Sequence, residues 1–175
     1  MNKKMSTKVL VSSAILAAIS IILTRFFSVM LTENLRIGLG TLPIMFSGFM
    51  FGPFAGAITG TVSDLVGVMI NPMGTYHLGF TLSSMLQGLI PGIVSLFFMK
   101  DKNKLGLTNL LISTVLVYFG VHLLLNSLWL SQLQRINYFT LLYLRVLKVV
   151  IEAVVTAIIL KIVYDTVVPK IGEIK

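Results

Sequence analysis

The chain has 175 residues, 56% hydrophobic and 11% charged, with a formal net charge of +8 and no cysteine. Soluble domains average about 25% charged residues, so this composition, with a mean hydropathy of +0.96, excludes water as the main solvent. The basic balance follows membrane topology rather than nucleic acid, because the lysines sit between apolar spans. The absence of cysteine excludes disulfides, thiolate chemistry and cysteine-ligated metal.

Charge is confined to a few places. Gly38 to Ser63, Leu65 to Met99 and Leu105 to Gln134 contain no Asp, Glu, Lys or Arg, and about 20 apolar residues cross a bilayer. Lys3, Lys4 and Lys8 ahead of Val9 to Leu23 imitate a secretory signal. Apolar residues continue past Arg25 to Leu31 and further hydrophobic segments follow, so a retained first helix is expected. Hydropathy and breakers predict six spans, at Val9–Leu31, Leu42–Phe51, Phe54–Ile70, Phe80–Met99, Leu105–Leu130 and Thr140–Val168, the second too short to cross alone. The connections at 32–41, 52–53, 71–79, 100–104 and 131–139 are short and leave no room for a soluble domain. The expected fold is therefore all-α, a single integral-membrane six-helix bundle over residues 1–175.

With six crossings, Lys3, Lys4 and Lys8, Lys100, Lys102 and Lys104, and Lys170 and Lys175 all face the cytoplasm, which places both termini inside. The opposite loops hold only Glu33, Arg36 and Arg135 as charges. Small residues recur at helical spacing: Gly52, Gly56 and Gly60 with Gly67 beyond, Gly88 and Gly92, and Ala14 and Ala18. Such stripes usually pack helices within a bundle. For Ala14 and Ala18 an outward surface that docks another membrane subunit is the alternative.

Ionisable groups at membrane depth cost at least about 2.5–3.5 kcal/mol each on insertion scales, so each calls for a function. Arg25, Asp64, Arg145, Lys148 and Glu152 qualify. At 1.5 Å per residue, Arg25 falls about 24 Å from the inner start of the first span and Arg145 about 8 Å below the outer start of the last, both in the outer half. Arg145, Lys148 and Glu152 share one helix face. One reading is a structural ion network, Lys148 with Glu152 and Asp64 with Arg25 or Arg145. The other follows from the excess of guanidinium groups at Arg25, Arg36, Arg135 and Arg145 on one side, which suits a carboxylate or phosphate ligand held bidentately.

Phe26, Phe27, Tyr76, Phe80, Trp129, Tyr138, Phe139 and Tyr143 fall on the same side, as an interfacial belt or as walls that stack on a flat ligand. Asn126, Gln132, His77 and Thr81 add hydrogen-bonding groups there. His77 and His122 read as packing or hydrogen-bonding residues, and no metal or cofactor is expected. No phosphate loop, Gly-x-Ser-x-Gly elbow or His-Glu-x-x-His helix occurs, so the chain is not expected to be an enzyme or to hydrolyse ATP.

Three stretches carry a resemblance: R-x-G-L-G-x-L-P-I at Arg36 to Ile44, G-P-x-x-G-x-x-x-G-x-x-S-D-x-x-G at Gly52 to Gly67, and G-F-T-L-S at Gly79 to Ser83. They resemble the substrate-binding S components of energy-coupling factor transporters, the second piece those components broadly and the other two the folate-specific group. The resemblance covers about a third of the chain strongly. It implies a six-helix bundle in a prokaryotic cell membrane that captures folate from outside, joins a transmembrane coupling subunit and two cytoplasmic ATPases, and topples to release its cargo. Ala14-x-x-x-Ala18 resembles the family's docking motif for the coupling subunit. On this reading the ligand-binding residues are Arg25, Arg36, Asp64, Tyr76, Phe80, Thr81, Asn126, Trp129, Arg135 and Arg145. Asp64 would accept from pterin N–H groups, Arg25 and Arg145 would meet acceptors or carboxylates, and Arg36 and Arg135 would lie near the tail. Loops 32–41 and 71–79 would be gates, made mobile by Gly38, Gly40 and Gly74. The alternatives are an S component for thiamine, riboflavin or a pterin-like compound, and a carrier working alone.

Overall fold

A computed structural model describes residues 5–32, 35–72, 74–98 and 105–171. Six helices follow in chain order: α1 (Thr7–Arg25), α2 (Thr41–Phe51), α3 (Pro53–Ile70), α4 (Leu78–Phe98), α5 (Leu107–Gln134) and α6 (Tyr138–Ile171). Four of them, α1, α3, α4 and α5, are long and apolar enough to cross a membrane. The six-helix expectation holds to within a few residues, except at the end of the first span. There α1 stops at Arg25, and the chain turns into a two-stranded antiparallel ribbon, β1 (Val29–Thr32) and β2 (Leu35–Ile37), with Val29 opposite Ile37 and an irregularity between Met30 and Thr32. Apolar residues continued the hydropathy signal, but the β-branched Val29, Thr32 and Ile37 favour extended backbone.

Local chemistry sets the helix ends. Ser6 caps α1 by accepting a hydrogen bond from the Val9 N–H at 3.3 Å. Gly52, at φ 93°, makes the corner between α2 and α3, and Pro53 supplies the first turn of α3, where its missing N–H costs nothing. Arg135 closes α5 in the left-handed region at φ 56°.

The glycine stripes are packing surfaces. A Cβ on Gly56 would strike the Gly88 carbonyl, one on Gly60 the Ser84 carbonyl, and one on Gly92 the backbone of Pro53, so α3 and α4 touch backbone to backbone. Gly52 differs from the rest of the expected stripe, since a Cβ there would meet nothing within 4 Å and its positive φ makes the turn. The short α2, with eight of its residues buried, runs through the middle of the bundle. Its Met45, Phe46 and Phe49 join Val117 and Tyr118 of α5 and Val149, Leu160 and Tyr164 of α6 in an apolar core. Phe46 and Phe49 meet the Tyr164 ring edge-on at 5.6 and 6.4 Å.

The outer surface reverses the pattern of a soluble protein. Ile15, Phe54, Phe97 and Leu147 stand exposed, while Arg145, Lys148 and Glu152 are buried. At one end of the bundle, Asp165 of α6 accepts from the Leu105 N–H at 3.1 Å and Lys161 donates to the Leu105 carbonyl at 2.5 Å, fixing the start of α5 against α6. Lys3, Lys4, Glu33, Lys100, Lys102, Lys104 and Lys175, on which much of the topology expectation rests, lie outside the described residues.

Candidate functional site

Antiparallel alternation brings the polar residues together. The C-terminal ends of α1, α3 and α5 and the N-terminal ends of α2, α4 and α6 meet at one end of the bundle, and the polar and charged residues noted in the apolar spans fall in the half of the bundle on that side or near its middle. They enclose two adjoining chambers of about 260 and 230 Å³. The deeper one is lined by Arg25 from α1, Gly38 and Thr41 around the start of α2, Asp64 from α3, Phe80, Ser84 and Gln87 from α4, His122 and Asn126 from α5, and Arg145, Lys148 and Glu152 from α6. The second shares Arg25, Asp64, Phe80, Gln87 and Asn126 and extends to Val68 of α3 and to Gly74, Thr75 and Tyr76 of the α3–α4 loop.

Three groups organise the charge. Arg25 lies 3.5 Å from Asp64, and its NH1 donates to the Asn71 carbonyl at 3.3 Å while Asn71 Nδ2 donates back to the Arg25 carbonyl. Gly67 permits this, because a Cβ there would sit 2.9 Å from Arg25 Nε. Asp64 also accepts from Thr81 Oγ1 at 2.7 Å, and Thr81 is 2.8 Å from the Tyr76 hydroxyl, so the α3–α4 loop is tied to the carboxylate. Second, Lys148 pairs with Glu152 at 3.1 Å, and Glu152 accepts from the Gly38 N–H at 3.0 Å, anchoring the end of the ribbon to α6.

Third, Arg145 is 4% exposed and donates to Ser127 Oγ at 3.1 Å, yet no carboxylate stands at ion-pairing distance among the described residues. Its Nε, the Nε of Arg25 and the Asn126 carbonyl oxygen are buried without partners. Buried polar atoms are rarely left so, and two guanidinium donors and one amide acceptor from three helices around one cavity have the chemistry of a site completed by a polar guest that carries both acceptors and donors.

The sequence-derived residues divide accordingly. Arg25, Asp64, Phe80, Asn126 and Arg145 line the deeper chamber, and Tyr76 joins all of them but Arg145 in the second. Thr81 reaches the site only through Asp64 and Tyr76. Trp129 is one step back: its indole N–H donates to Ser83 Oγ at 3.1 Å and its ring covers Gly79 and lies 5.4 Å from His77, so it buttresses the wall. Arg135 is exposed at the end of α5 and lines neither chamber. Arg36 pairs with Met30 in the ribbon, but its side chain lies outside the described residues. Gly74 has a positive φ of 103° that suits glycine; Gly40 instead fits closely, since a Cβ would collide with Thr24. Thr41, Gln87, His122, Lys148 and Glu152 are cavity residues beyond the expected set. The spacing of Arg145, Lys148 and Glu152 on one face was the available signal for the last two. Ala14 and Ala18 are exposed, which removes them from packing inside the bundle.

Comparison with known proteins adds the family. The model for "ECF-type riboflavin transporter, S component" matches residues 4–168. The chain belongs to the S components of ECF-type transporters. This S component is 37% identical over 123 residues to a folate transporter FolT of Clostridium novyi (strain NT), covering 70% of this chain and 68% of that one. It is 25% identical over 127 residues to a folate transporter FolT of Leuconostoc mesenteroides subsp. mesenteroides, covering 73% and 65%. Among solved structures it is similar to "Crystal structure of FolT bound with folic acid", at TM-score 0.80 and 29% identity over 92% of this chain and 95% of that one. A second, "Structure and mechanism of the S component of a bacterial ECF transporter", has the same fold at TM-score 0.69 and 21% identity, covering 95% and 98%. Membership makes this S component a multi-pass membrane transport subunit and not an enzyme. The family description names riboflavin and the relatives' names folate, a difference that bears on the ligand.

Proposed function

We propose that this S component captures folate in the two-chamber cavity for ATP-driven import with an ECF coupling module, in the plasma membrane of a prokaryote. The observation that carries the reading is Arg145, a buried guanidinium on the cavity wall with an unpartnered Nε and no acid at ion-pairing distance. A folate carboxylate or ring carbonyl supplies the missing acceptor, Phe80 and Tyr76 give the flat rings a surface, and Asp64 accepts from pterin N–H groups. The names of the relatives support the same ligand.

On this reading the cavity mouth faces outward and both termini are cytoplasmic. The exposed α1 face with Ala14 and Ala18 docks the transmembrane coupling subunit, which in turn works with two ATPase subunits. The apolar core of Phe46, Phe49, Tyr118 and Tyr164 closes the rest of the bundle, so the cargo has no straight path through it. Release then requires the whole subunit to reorient, which suits dependence on partners.

Riboflavin is the second reading, favoured by the family description. Titration of the purified, detergent-solubilised protein with folate, riboflavin and thiamine, read by the fluorescence of the single tryptophan, Trp129, separates them. Folate is expected to give a saturable signal. Saturation by riboflavin with no response to folate would replace the first reading by the second.

A further inference from the structure

The α5 wall of the cavity is wound unusually. Leu116–Leu125 is π-helical for ten residues inside an otherwise α-helical span. In a regular α-helix, side chains 118, 122, 126 and 130 would fan round the axis by about 120°; the wider π turn takes up most of that drift. His122, Asn126 and Leu130 accordingly share the wall of the deeper chamber, with Tyr118 beneath them in the core.

His122 is held from two sides. The Tyr118 ring stacks on the imidazole at 4.8 Å with 13° between planes, and Tyr118 OH is 2.6 Å from Thr156 Oγ1 on α6, so the stack is anchored to a second helix. His122 Nε2 lies 3.1 Å from Thr41 Oγ1, and the Thr41 hydroxyl can donate its one hydrogen to Gln87 Oε1 at 3.3 Å. With that hydrogen on Gln87 the hydroxyl accepts from Nε2–H; with it on the shorter contact to His122 the imidazole proton sits on Nδ1 instead. The first arrangement makes Nδ1 a bare acceptor on a ring that lines the cavity.

We propose that His122 is a ligand-contacting, specificity-determining residue that presents Nδ1 as a neutral acceptor to an N–H of the vitamin. Thr41 fixes its tautomer and Tyr118 is its positioning residue. The inference rests on the vitamin-capture reading and deepens it: beside the carboxylate of Asp64, a second acceptor recognises the donor edge of a ring, while the arginines take acceptors or anions. A vitamin ring that lacks an N–H at that position leaves Nδ1 buried and unpaired, which is how polar sites reject close analogues.

The test uses the full-length protein, in which only His77 and His122 are histidines. With ¹⁵N-labelled histidine and His77→Ala for assignment, the ligand-free spectrum is expected to show His122 protonated at Nε2 and bare at Nδ1, and Thr41→Val to mix the tautomers. Adding whichever of folate or riboflavin saturates the wild type should move the Nδ1 resonance. His122→Phe, which keeps the stack on Tyr118, should weaken that vitamin at least tenfold without lowering thermal stability. His122→Gln, which retains a donor for Thr41 and an acceptor for the ligand, should recover most of the affinity, and Tyr118→Phe should lose part of it. A proton found on Nδ1, an Nδ1 resonance unmoved by bound vitamin, or wild-type affinity in His122→Phe overturns the proposal. Saturation by riboflavin alone, with the same His122 effects, would sink the folate reading and leave this one standing.

Discussion

Arg145→Met puts the anion-receiving reading to its hardest test, because affinity and stability should move differently. Methionine keeps an unbranched stem of similar reach but removes the guanidinium. In the ligand-free protein Arg145 is 4% exposed, bonded to Ser127 and without an acid at ion-pairing distance. Its removal costs one hydrogen bond, about 1 kcal/mol, and relieves the desolvation of a buried cation, worth at least as much. Thermal stability without ligand should therefore be unchanged or higher. With ligand, a charge-assisted hydrogen bond of about 1.5–3 kcal/mol disappears, so the dissociation constant for folate should rise by roughly 12- to 150-fold. Trp129 fluorescence titration gives the affinity and a thermal melt of the same sample gives the stability. Lowered stability with unchanged affinity would show that Arg145 is a structural strut and would refute the argument.

Arg135→Ala should leave folate affinity within about twofold, since an exposed surface substitution away from the site changes little; a tenfold loss in the same titration would return Arg135 to the site. Asp64→Asn removes the partner of Arg25 and weakens the acceptor of Thr81, so binding should fall at least tenfold, about 1.4 kcal/mol, with wild-type affinity as the contrary result. Ala14→Trp, on the exposed α1 face, should leave binding by the isolated subunit intact and block uptake by the assembled complex in proteoliposomes; undiminished uptake would make that face plain lipid contact. A folate diester tests which moiety Arg145 meets. If it holds a carboxylate, the diester and Arg145→Met losses should not add in a double-substitution cycle, whereas full additivity assigns Arg145 to a ring acceptor.

Most of the fold was legible because a bilayer leaves few choices. Backbone groups in hydrocarbon must be satisfied within the segment, so apolar runs of sufficient length become helices, and short connections force neighbours to be antiparallel. The helix at Leu107–Gln134 and the glycine contacts between α3 and α4 follow from that. The ribbon after α1 did not, because Val29 to Leu31 continues the apolar run of the first span and hydropathy has no term for strand preference. Nor did the π segment: Leu116–Leu125 contains no proline, and its one glycine, Gly120, has open space around it. The pitch there goes with contacts from two other helices, Thr156 on Tyr118 and Thr41 on His122, which no local pattern encodes.

The site was legible where desolvation made a residue conspicuous and hidden where it did not. Arg25, Asp64 and Arg145 stood out because a charge in an apolar span needs a reason, and all three line the cavity. Arg135 differs: its charge has the same sign and the same side of the chain, but it closes a helix in the left-handed region, is exposed and lines neither chamber. Thr41 and Gln87 carry no charge and look in sequence like ordinary polar interruptions of a membrane helix, yet both line the cavity and Thr41 bridges Gln87 and His122. Lys148 and Glu152 satisfy both readings at once, as an ion pair at i and i+4 whose carboxylate also holds the Gly38 N–H. Glu152 is thus held by a lysine and a backbone donor on the same face as Arg145 but about two helical turns away, beyond ion-pairing distance, which leaves the Arg145 guanidinium room for a guest.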